Sequence, residues 1–409
     1  MKILMLTPYL PFPLLSGGQI RTYNLLKNLS KDHEITLFAL IKKEEERRYI
    51  PELSKYCVKV QVFKRPEKPF TLATILRTGL SLYPFLVIRN LVEEVKYAVS
   101  RELKRGKYDL IHAETFYMMP NIPRTKTPVL LVEQTIEYLG YLSYTKSTSW
   151  WFLKPLLYID ILKIRFWEEF FWKTANRLVV MSQDDKRFIQ DSISLEFPVE
   201  VVENGVDVAF FKQTKKNLPK RPTVLFVGTF NWLPNIEAVQ YLIHEVWPII
   251  KQKLPDAELQ IVGNAPTDAI RDSASKYSDI TIRGRVEDIR DAYAAAHVLV
   301  APVFSGKGTR YKVLEAFATR TPVVGTSLAF EGLDTKNGQH MLVANDASSL
   351  AEQAVRVLSD TKLRESLGKN GEELVFGSYN WTEISKKLSQ IYQQVAKPVV
   401  SSTKQGEHE

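Results

Sequence analysis

Short apolar runs alternate with amphipathic stretches along most of the chain. That alternation predicts strands and helices in turn. Lys2–Thr7 is an apolar run of strand length, Ile20–Leu29 has helical spacing and Glu34–Leu40 is a second strand. After a basic helical region come Tyr108–Glu114, a strand ending in polar residues, and Pro128–Val132, a strand followed by Glu133-Gln134-Thr135. Arg177–Ser182 predicts a strand, Gln183–Gln190 a helix and Val199–Val202 a strand, and Asn204–Asp207 closes this half with a turn. Residues 208–221 are polar and basic and predict a linker. The alternation then restarts. Strands are predicted at Thr223–Gly228, Glu258–Val262, Ile280–Ile282, Val298–Pro302 and Pro322–Gly325. Helices are predicted at Asn235–Leu254, Ala265–Lys276, Ile289–Ala296 and Arg310–Thr319. Leu342-Val343 is followed by helices near Ala347–Ser359 and Thr361–Val375, then by a last helix at Trp381–Gln394. The pattern is that of two successive α/β sandwiches, each a doubly wound parallel sheet, with a cleft between them as the natural site. The polar stretch after Ala396 reads as a disordered tail.

Composition fits such an architecture. The chain has 409 residues, 45% of them hydrophobic and 25% charged, as expected of a globular protein of two domains. Cys57 is the sole cysteine, which rules out an internal disulfide and a cysteine-based metal site and fits a reducing compartment. No apolar run reaches the ~18 residues of a membrane span. The apolar N-terminus is broken by Pro8, Pro11 and Pro13 and reads as a first strand and its loop rather than a signal peptide.

Charge and aromatics are unevenly spread. The formal net charge is +9, and residues 64–107 hold ten Lys/Arg against four Glu. Trp150–Trp172 carries four tryptophans and four phenylalanines. Basic and aromatic amphipathic segments suit an anionic membrane surface. A solvated basic face and an aromatic core helix are the plainer alternatives.

The richest chemistry lies in Ser305–Gly325, SGKGTRYKVLEAFATRTPVVG. It reads as a glycine loop, a helix capped by Thr309, and a buried strand. Free N–H groups of Gly306, Gly308 and the helix start suit an anion. Arg310 and Lys312 add positive charge. Lys312 and Glu315 share one helix face, fitting a cation for phosphate and a carboxylate for hydroxyls. The same pattern also describes an ordinary helix with a solvated charged face. In the first half, Gly17-Gly18 opens a helix and suits an anion, a substrate or a turn with positive φ. The fingerprint GxGxxG is missing there, so a nicotinamide dinucleotide is poorly supported. His112, Glu114 and Glu133 stand at strand C-termini, where parallel sheets bind ligands.

Taken in order, several stretches resemble the family-4 glycosyltransferases of GT-B fold across nearly the whole chain. They are the Gly17-Gly18 loop, ENGVD at Glu203–Asp207, and FVGTFNWLPNIEAV at Phe226–Val239. LQIVG at Leu259–Gly263, GRVEDIRDAYAAAHVLVAP at Gly284–Pro302 and GTRYKVLEAFATRTPVVGT at Gly308–Thr326 complete the set. The resemblance implies two Rossmann-like doubly wound domains facing an interdomain cleft. Residues 1–207 would bind the acceptor and 208–378 the nucleotide sugar. Residues 379–395 would form a helix crossing back to the first domain, and 396–409 the tail. It implies transfer of a sugar from a nucleotide-diphosphate sugar, UDP- or GDP-linked, to a glycan or lipid-linked acceptor in cell-surface polysaccharide biosynthesis. Retention of configuration and independence of metals and cofactors are implied too; the single cysteine and the basic and aromatic segments fit a cytoplasmic place, peripheral on the membrane. Nucleic acid is not an implied partner.

On this resemblance the catalytic candidates are Arg310, Lys312, Glu114 and His112. Gly228, Asn231, Arg285, Gly306, Gly308, Thr309 and Glu315 would bind the donor, with Glu315 on the ribose and the Arg285 loop beside the base. Gly17, Gly18 and Glu133 would face the acceptor. Three positions depart from the family pattern. Lys307 replaces the first of two glutamates, Thr229–Trp232 carries none of the usual diphosphate-binding cations, and Glu114 stands where a histidine is usual. Arg310 and Lys312 would then supply the charge. A sugar-nucleotide epimerase of the same fold, or a non-catalytic protein of a membrane surface, are the alternatives.

Overall fold

The computed structural model describes residues 1–68, 70–147, 150–306 and 311–396. The chain divides into two compact units. One holds residues 1–180, 185–202 and the end of the chain from Ser385; the other holds 181–184 and 203–384.

In the first unit, seven parallel strands form one sheet in the order β3-β2-β1-β4-β5-β6-β7. They are β1 (Lys2–Thr7), β2 (Glu34–Ile41), β3 (Lys59–Lys64), β4 (Leu110–Glu114), β5 (Val129–Glu133), β6 (Arg177–Val180) and β7 (Val199–Val201). β4 and β5 are buried at every residue, because helices cover both faces of a parallel sheet. β3 (KVQVFK) has only Val62 and Phe63 buried, as befits an edge strand. The sequence pattern did not single it out.

The second unit repeats the design. Its strands are β8 (Thr223–Val227), β9 (Glu258–Val262), β10 (Ile280–Arg283), β11 (Val298–Ala301), β12 (Val323–Gly325) and β13 (Leu342–Val343), in the order β10-β9-β8-β11-β12-β13. In both sheets the order reverses beside the first strand, between β1 and β4 and between β8 and β11. The carboxyl ends at such a reversal leave a crevice for ligands.

Several boundaries differ from the sequence pattern. The first helix begins at Gly17, capped by the Ser16 side chain, so the glycine pair forms its first turn. Neither Gly17 nor Gly18 has positive φ, which removes the turn reading. The expected long helix after β8 is interrupted: helix Leu233–Tyr241 and helix Trp247–Lys253 are joined by a π-turn at Leu242–Val246. The expected linker opens with a helical turn, Val208–Phe211, and Lys216 within it is bonded to the chain just before β11 and β12. The last helix, Trp381–Ala396, is shared between the units. Its start packs in the second around the Val206 N–H, which donates to the Tyr379 carbonyl, while residues from 385 belong to the first.

Candidate functional site

In the first unit the carboxyl ends of β1, β4 and β5 enclose a buried polar network. His112 and Glu114, two apart on β4, point to one side of the strand, and neither is exposed. His112 Nε2 lies 3.1 Å from Glu114 Oε1, and His112 Nδ1 lies 2.5 Å from the hydroxyl of Tyr392, from the last helix. Gln134, just beyond β5, donates through Nε2 to Glu114 Oε2 at 2.7 Å and to the Tyr9 hydroxyl at 2.6 Å. Tyr9 in turn lies 3.1 Å from the Thr22 hydroxyl. Burial alone would raise the Glu114 carboxyl. The hydrogen bond and charge of His112, then Arg21 and Gln134, outweigh it and hold the carboxyl below its ordinary range. The carboxylate is therefore an ionised anchor inside a closed network. Gly18 packs directly on this network: a Cβ there would stand 2.6 Å from the Tyr9 hydroxyl and 2.7 Å from Gln134 Oε1.

Glu133 lies apart from the Glu114 network. It is 2% exposed and accepts from Trp172 Nε1 at 3.1 Å. Burial and the nearby Glu168 push its carboxyl well above the usual range. Glu168 accepts from the Glu137 and Tyr138 N–H groups at 2.7 and 3.1 Å, anchoring the helix Glu137–Ser147. Burial raises Glu137 to about 7. Burial raises Glu133, Glu137 and Glu168 alike, and of these the sequence singled out only Glu133.

In the second unit the carboxyl end of β8 runs into Gly228 and the helix Leu233–Tyr241. Asn235 sits under Gly228, where a Cβ would meet its Cγ at 2.9 Å. The Asn235 amide donates to the Thr229 carbonyl at 2.9 Å and its Oδ1 accepts from Lys312 Nζ at 2.8 Å. Lys312 is 9% exposed, and its ammonium lies 4.4 Å from the centre of the Phe226 ring. The solvated charged face is therefore not what forms: Lys312 is clamped beneath the β8 loop. One turn on, Glu315 Oε2 accepts from the Tyr293 hydroxyl at 2.8 Å, while its Oε1 has no hydrogen-bond partner among the described residues. Burial raises the Glu315 carboxyl, opposed by the Tyr293 bond and the Lys312 charge. After β11 the Ser305 hydroxyl donates to Glu237 Oε2 at 2.5 Å. Gly306 then turns the chain with φ of 87°, a conformation glycine adopts without strain.

Lys312, Glu315, Gly228 and Gly306 are thus gathered around the ends of β8 and β11. Asn231 and Arg285 are exposed on loops after β8 and β10. Lys307, Gly308, Thr309 and Arg310 lie outside the described residues, as do residues 397–409 of the expected tail. Sequence reasoning missed Tyr9, Arg21, Gln134 and Tyr392 in the first unit, and Asn235, Glu237 and Tyr293 in the second. Asn235 and Gln134 stood inside or beside quoted stretches, but nothing in the sequence joined them to Lys312 or Glu114.

Residues 15–210 match the model of glycosyltransferase family 4, and residues 221–360 that of glycosyl transferases group 1. The chain is 22% identical to an uncharacterized 44.6 kDa protein in the cps region of Klebsiella pneumoniae, over 95% of this chain and 97% of that one. It is 27% identical to the phosphatidyl-myo-inositol mannosyltransferase of Mycobacterium leprae, over 73% and 76%. Among solved structures, sucrose-phosphate synthase from Thermosynechococcus elongatus aligns with a TM-score of 0.70 at 18% identity, covering 97% and 99%. HepE of Anabaena in complex with UDP-glucose aligns with a TM-score of 0.65 at 15% identity, covering 96% and 100%. Matched in both halves by models of one family, and built on two Rossmann-like sheets like its neighbours of GT-B fold, the chain belongs to the group 1, family-4 glycosyltransferases, enzymes that use a nucleotide sugar.

Proposed function

We propose that this glycosyltransferase moves a sugar from a UDP- or GDP-sugar onto a lipid-linked glycan at an anionic membrane surface, in cell-surface polysaccharide biosynthesis. The donor is held by the second unit and the acceptor by the first. The observation that carries the donor half is the buried, pre-positioned Lys312 ammonium beside Glu315. When the sugar leaves, negative charge develops on the β-phosphate, and a fixed cation in a dry site stabilises that charge more than it stabilises the bound donor. Asn235 and the Phe226 ring fix where that cation stands. Arg310 is proposed to add forked hydrogen bonds to the diphosphate, with the Gly306 and Gly308 backbone and Thr309 completing the cradle. Glu315 would accept from ribose hydroxyls through Oε1. Gly228 and Asn231 would line the diphosphate side, and Arg285 the base. With the charge supplied by side chains, the reaction needs no divalent metal, and configuration is retained as the family resemblance implies.

In the first unit, the buried His112–Glu114 pair acts by positioning. It orients Gln134 and Tyr9 against the Gly17-Gly18 helix start, which is proposed as the acceptor wall. Glu133 keeps the helix behind that wall in place through Trp172.

The membrane half rests on a surface of the first unit. Helix Lys154–Thr174 exposes Leu156, Ile159, Leu162, Phe166 and Phe170, at spacings of three and four that place them on one face. Trp150, Trp151 and Phe152 precede it, all at least 60% exposed. Helix Leu72–Leu80 exposes Leu72, Ile75, Leu76 and Leu80 and is tied to helix Lys154–Thr174: Lys163 donates to the carbonyls of Thr78 and Ser81 at 2.9 and 2.7 Å. An exposed apolar patch of this extent marks an interaction surface. Exposed Lys64, Lys68 and Arg77, with Lys96, Arg101, Lys104 and Arg105 of helix Glu93–Arg105, supply charge for anionic headgroups. Among the described residues no helix is long and apolar enough to cross a membrane, so the patch would lie on the interface. The relatives' printed names, one from a cps region and one a mannosyltransferase of a phosphatidyl-inositol, support a surface-glycan or lipid acceptor. Incubation with UDP- and GDP-sugars, with and without lipid-linked glycan acceptors, tests the reading through nucleoside diphosphate release and a mass increase of the acceptor. Donor hydrolysis or epimerisation without acceptor dependence would replace it.

A further inference from the structure

The second unit has a further cavity at the opposite ends of its strands from the donor cradle. His297 immediately precedes β11 and Pro322 immediately precedes β12, and both line it. Its volume is about 410 Å³, within the range that holds a small ligand. Four cationic residues, Lys216, Arg320, Arg364 and Lys369, face it together with His297, against one lining carboxylate, Glu365.

The basic groups are held there by specific bonds. Lys216 Nζ donates to the carbonyls of Tyr293 and Ala296 and to the Thr321 hydroxyl, at 2.8, 3.2 and 2.6 Å, so its charge meets only neutral acceptors. Burial, then the nearby Arg364, lowers it to about 7. His297 Nδ1 accepts from the Thr223 N–H at 3.1 Å, which leaves the ring proton on Nε2. Burial, then Arg364 and Lys216, lowers this ring to about 4. Arg364 donates to the carbonyls of Val357 and Leu358 and to the Thr361 hydroxyl, leaving two of its five N–H donors without a partner among the described residues. At the rim, Arg320 is paired with Glu372, and Lys369 stands 3.7 Å from Glu373 with both side chains largely exposed. An exposed pair of this kind is weak and easily exchanged.

We propose that this cavity binds the phosphate group of a small phosphorylated molecule, of about the size of a sugar phosphate, at a site separate from the donor cradle. Cations and a polarised ring N–H crowded into a partly buried space repel one another. Lys216 alone is explained as a bracket that fastens the segment before β8 to the chain just before β11 and β12. That role does not account for the open donors of Arg364 and His297 or for the cavity they border. An anion there gains hydrogen bonds from Arg364 and His297 and the charge of Lys216 and Lys369, and it relieves their mutual repulsion. The rest of the molecule would lie over Leu218 and Pro322.

Calorimetric titration with inorganic phosphate and with glucose 6-phosphate, at matched ionic strength against potassium chloride, tests the proposal. Binding is expected for both, tighter for glucose 6-phosphate. Lys312→Met, which strips the charge from the donor cradle, should leave this affinity unchanged. Lys369→Gln, an exposed substitution that leaves folding intact, should weaken it about fivefold or more, and Arg364→Lys tenfold or more. Heats no larger than those of chloride overturn the proposal. So does binding that is lost in Lys312→Met, or that is untouched by Lys369→Gln in a protein with unchanged melting temperature.

Discussion

Replacing Lys312 by methionine removes a charge and keeps most of the side chain's length. The stem still packs on Phe226, whose ring centre is 4.4 Å from the lost ammonium. Two effects separate. Asn235 Oδ1 loses a donor at 2.8 Å, which costs stability of about 1–3 kcal/mol. The reaction loses a cation from a site only 9% exposed. A unit charge about 4 Å from a developing charge is worth about 4 kcal/mol at an effective dielectric of 20. The part gained only in the transition state compares with removal of one fixed donor, roughly 3 kcal/mol. At about 1.4 kcal/mol per decade, turnover should fall about a hundredfold. Nucleoside diphosphate release at saturating donor, normalised to folded protein by circular dichroism, measures it. The fall should appear in kcat more than in KM, because the charge is proposed to act on the leaving group. Lys312→Arg should recover part of the rate, since the charge returns without the Asn235 geometry. A folded Lys312→Met enzyme with kcat within threefold of the parent would refute the reasoning, and the charge stabilisation would then fall to Arg310 or the backbone.

Other consequences follow from the same geometry. Glu315→Gln should raise the donor dissociation constant about tenfold with little change in saturated turnover, because ribose hydroxyls do not react; equal loss in both would contradict its role. Arg310→Ala should lower turnover about a hundredfold, read by the same assay, and near-normal rates would remove it from the mechanism. Co-sedimentation should be strong with anionic vesicles, weaken with salt, and drop in a Leu162→Glu, Phe166→Glu variant; equal recovery from neutral vesicles would count against membrane docking. Glu137 is raised from 4.5 to about 7 by burial, so the fold binds a proton that the unfolded chain releases. Its contribution to stability is full below about 4.5 and is lost as pH rises through 7. Denaturation midpoints of Glu137→Gln should therefore fall less steeply over that range than those of the parent, and parallel curves would show that another group sets the slope.

Much of the fold is legible in the sequence because a parallel sheet covered on both faces writes itself as near-continuous apolar runs, as in β1, β4, β8 and β11. β3 escaped because an edge strand with only two buried residues and a lysine at each end looks like the charged segments around it. The sites were less legible. Lys312 and Glu315 were correctly placed on one helix, yet sequence spacing describes only that helix. Asn235 and Phe226, which bury Lys312, come from 77 and 86 residues upstream. His112 and Glu114 stood out as polar strand ends, but their closure depends on Tyr392, 280 residues along the chain. Glu133 and Gln134 are adjacent in sequence and belong to different hydrogen-bond networks, so singling out the first missed the second.

The central claim is that a nucleotide sugar held at Lys312 and Glu315 gives up its sugar to an acceptor bound by the first unit. Its most direct test is the transfer of radiolabelled sugar from a panel of UDP- and GDP-sugars to membrane-extracted lipid-linked glycans, in the presence of EDTA. The account predicts that one donor labels the acceptor, with nucleoside diphosphate released in equal amount and the rate undiminished by EDTA. Labelling that is unaltered in Lys312→Met and Glu315→Gln, or that vanishes with EDTA and returns with a divalent metal, would contradict it.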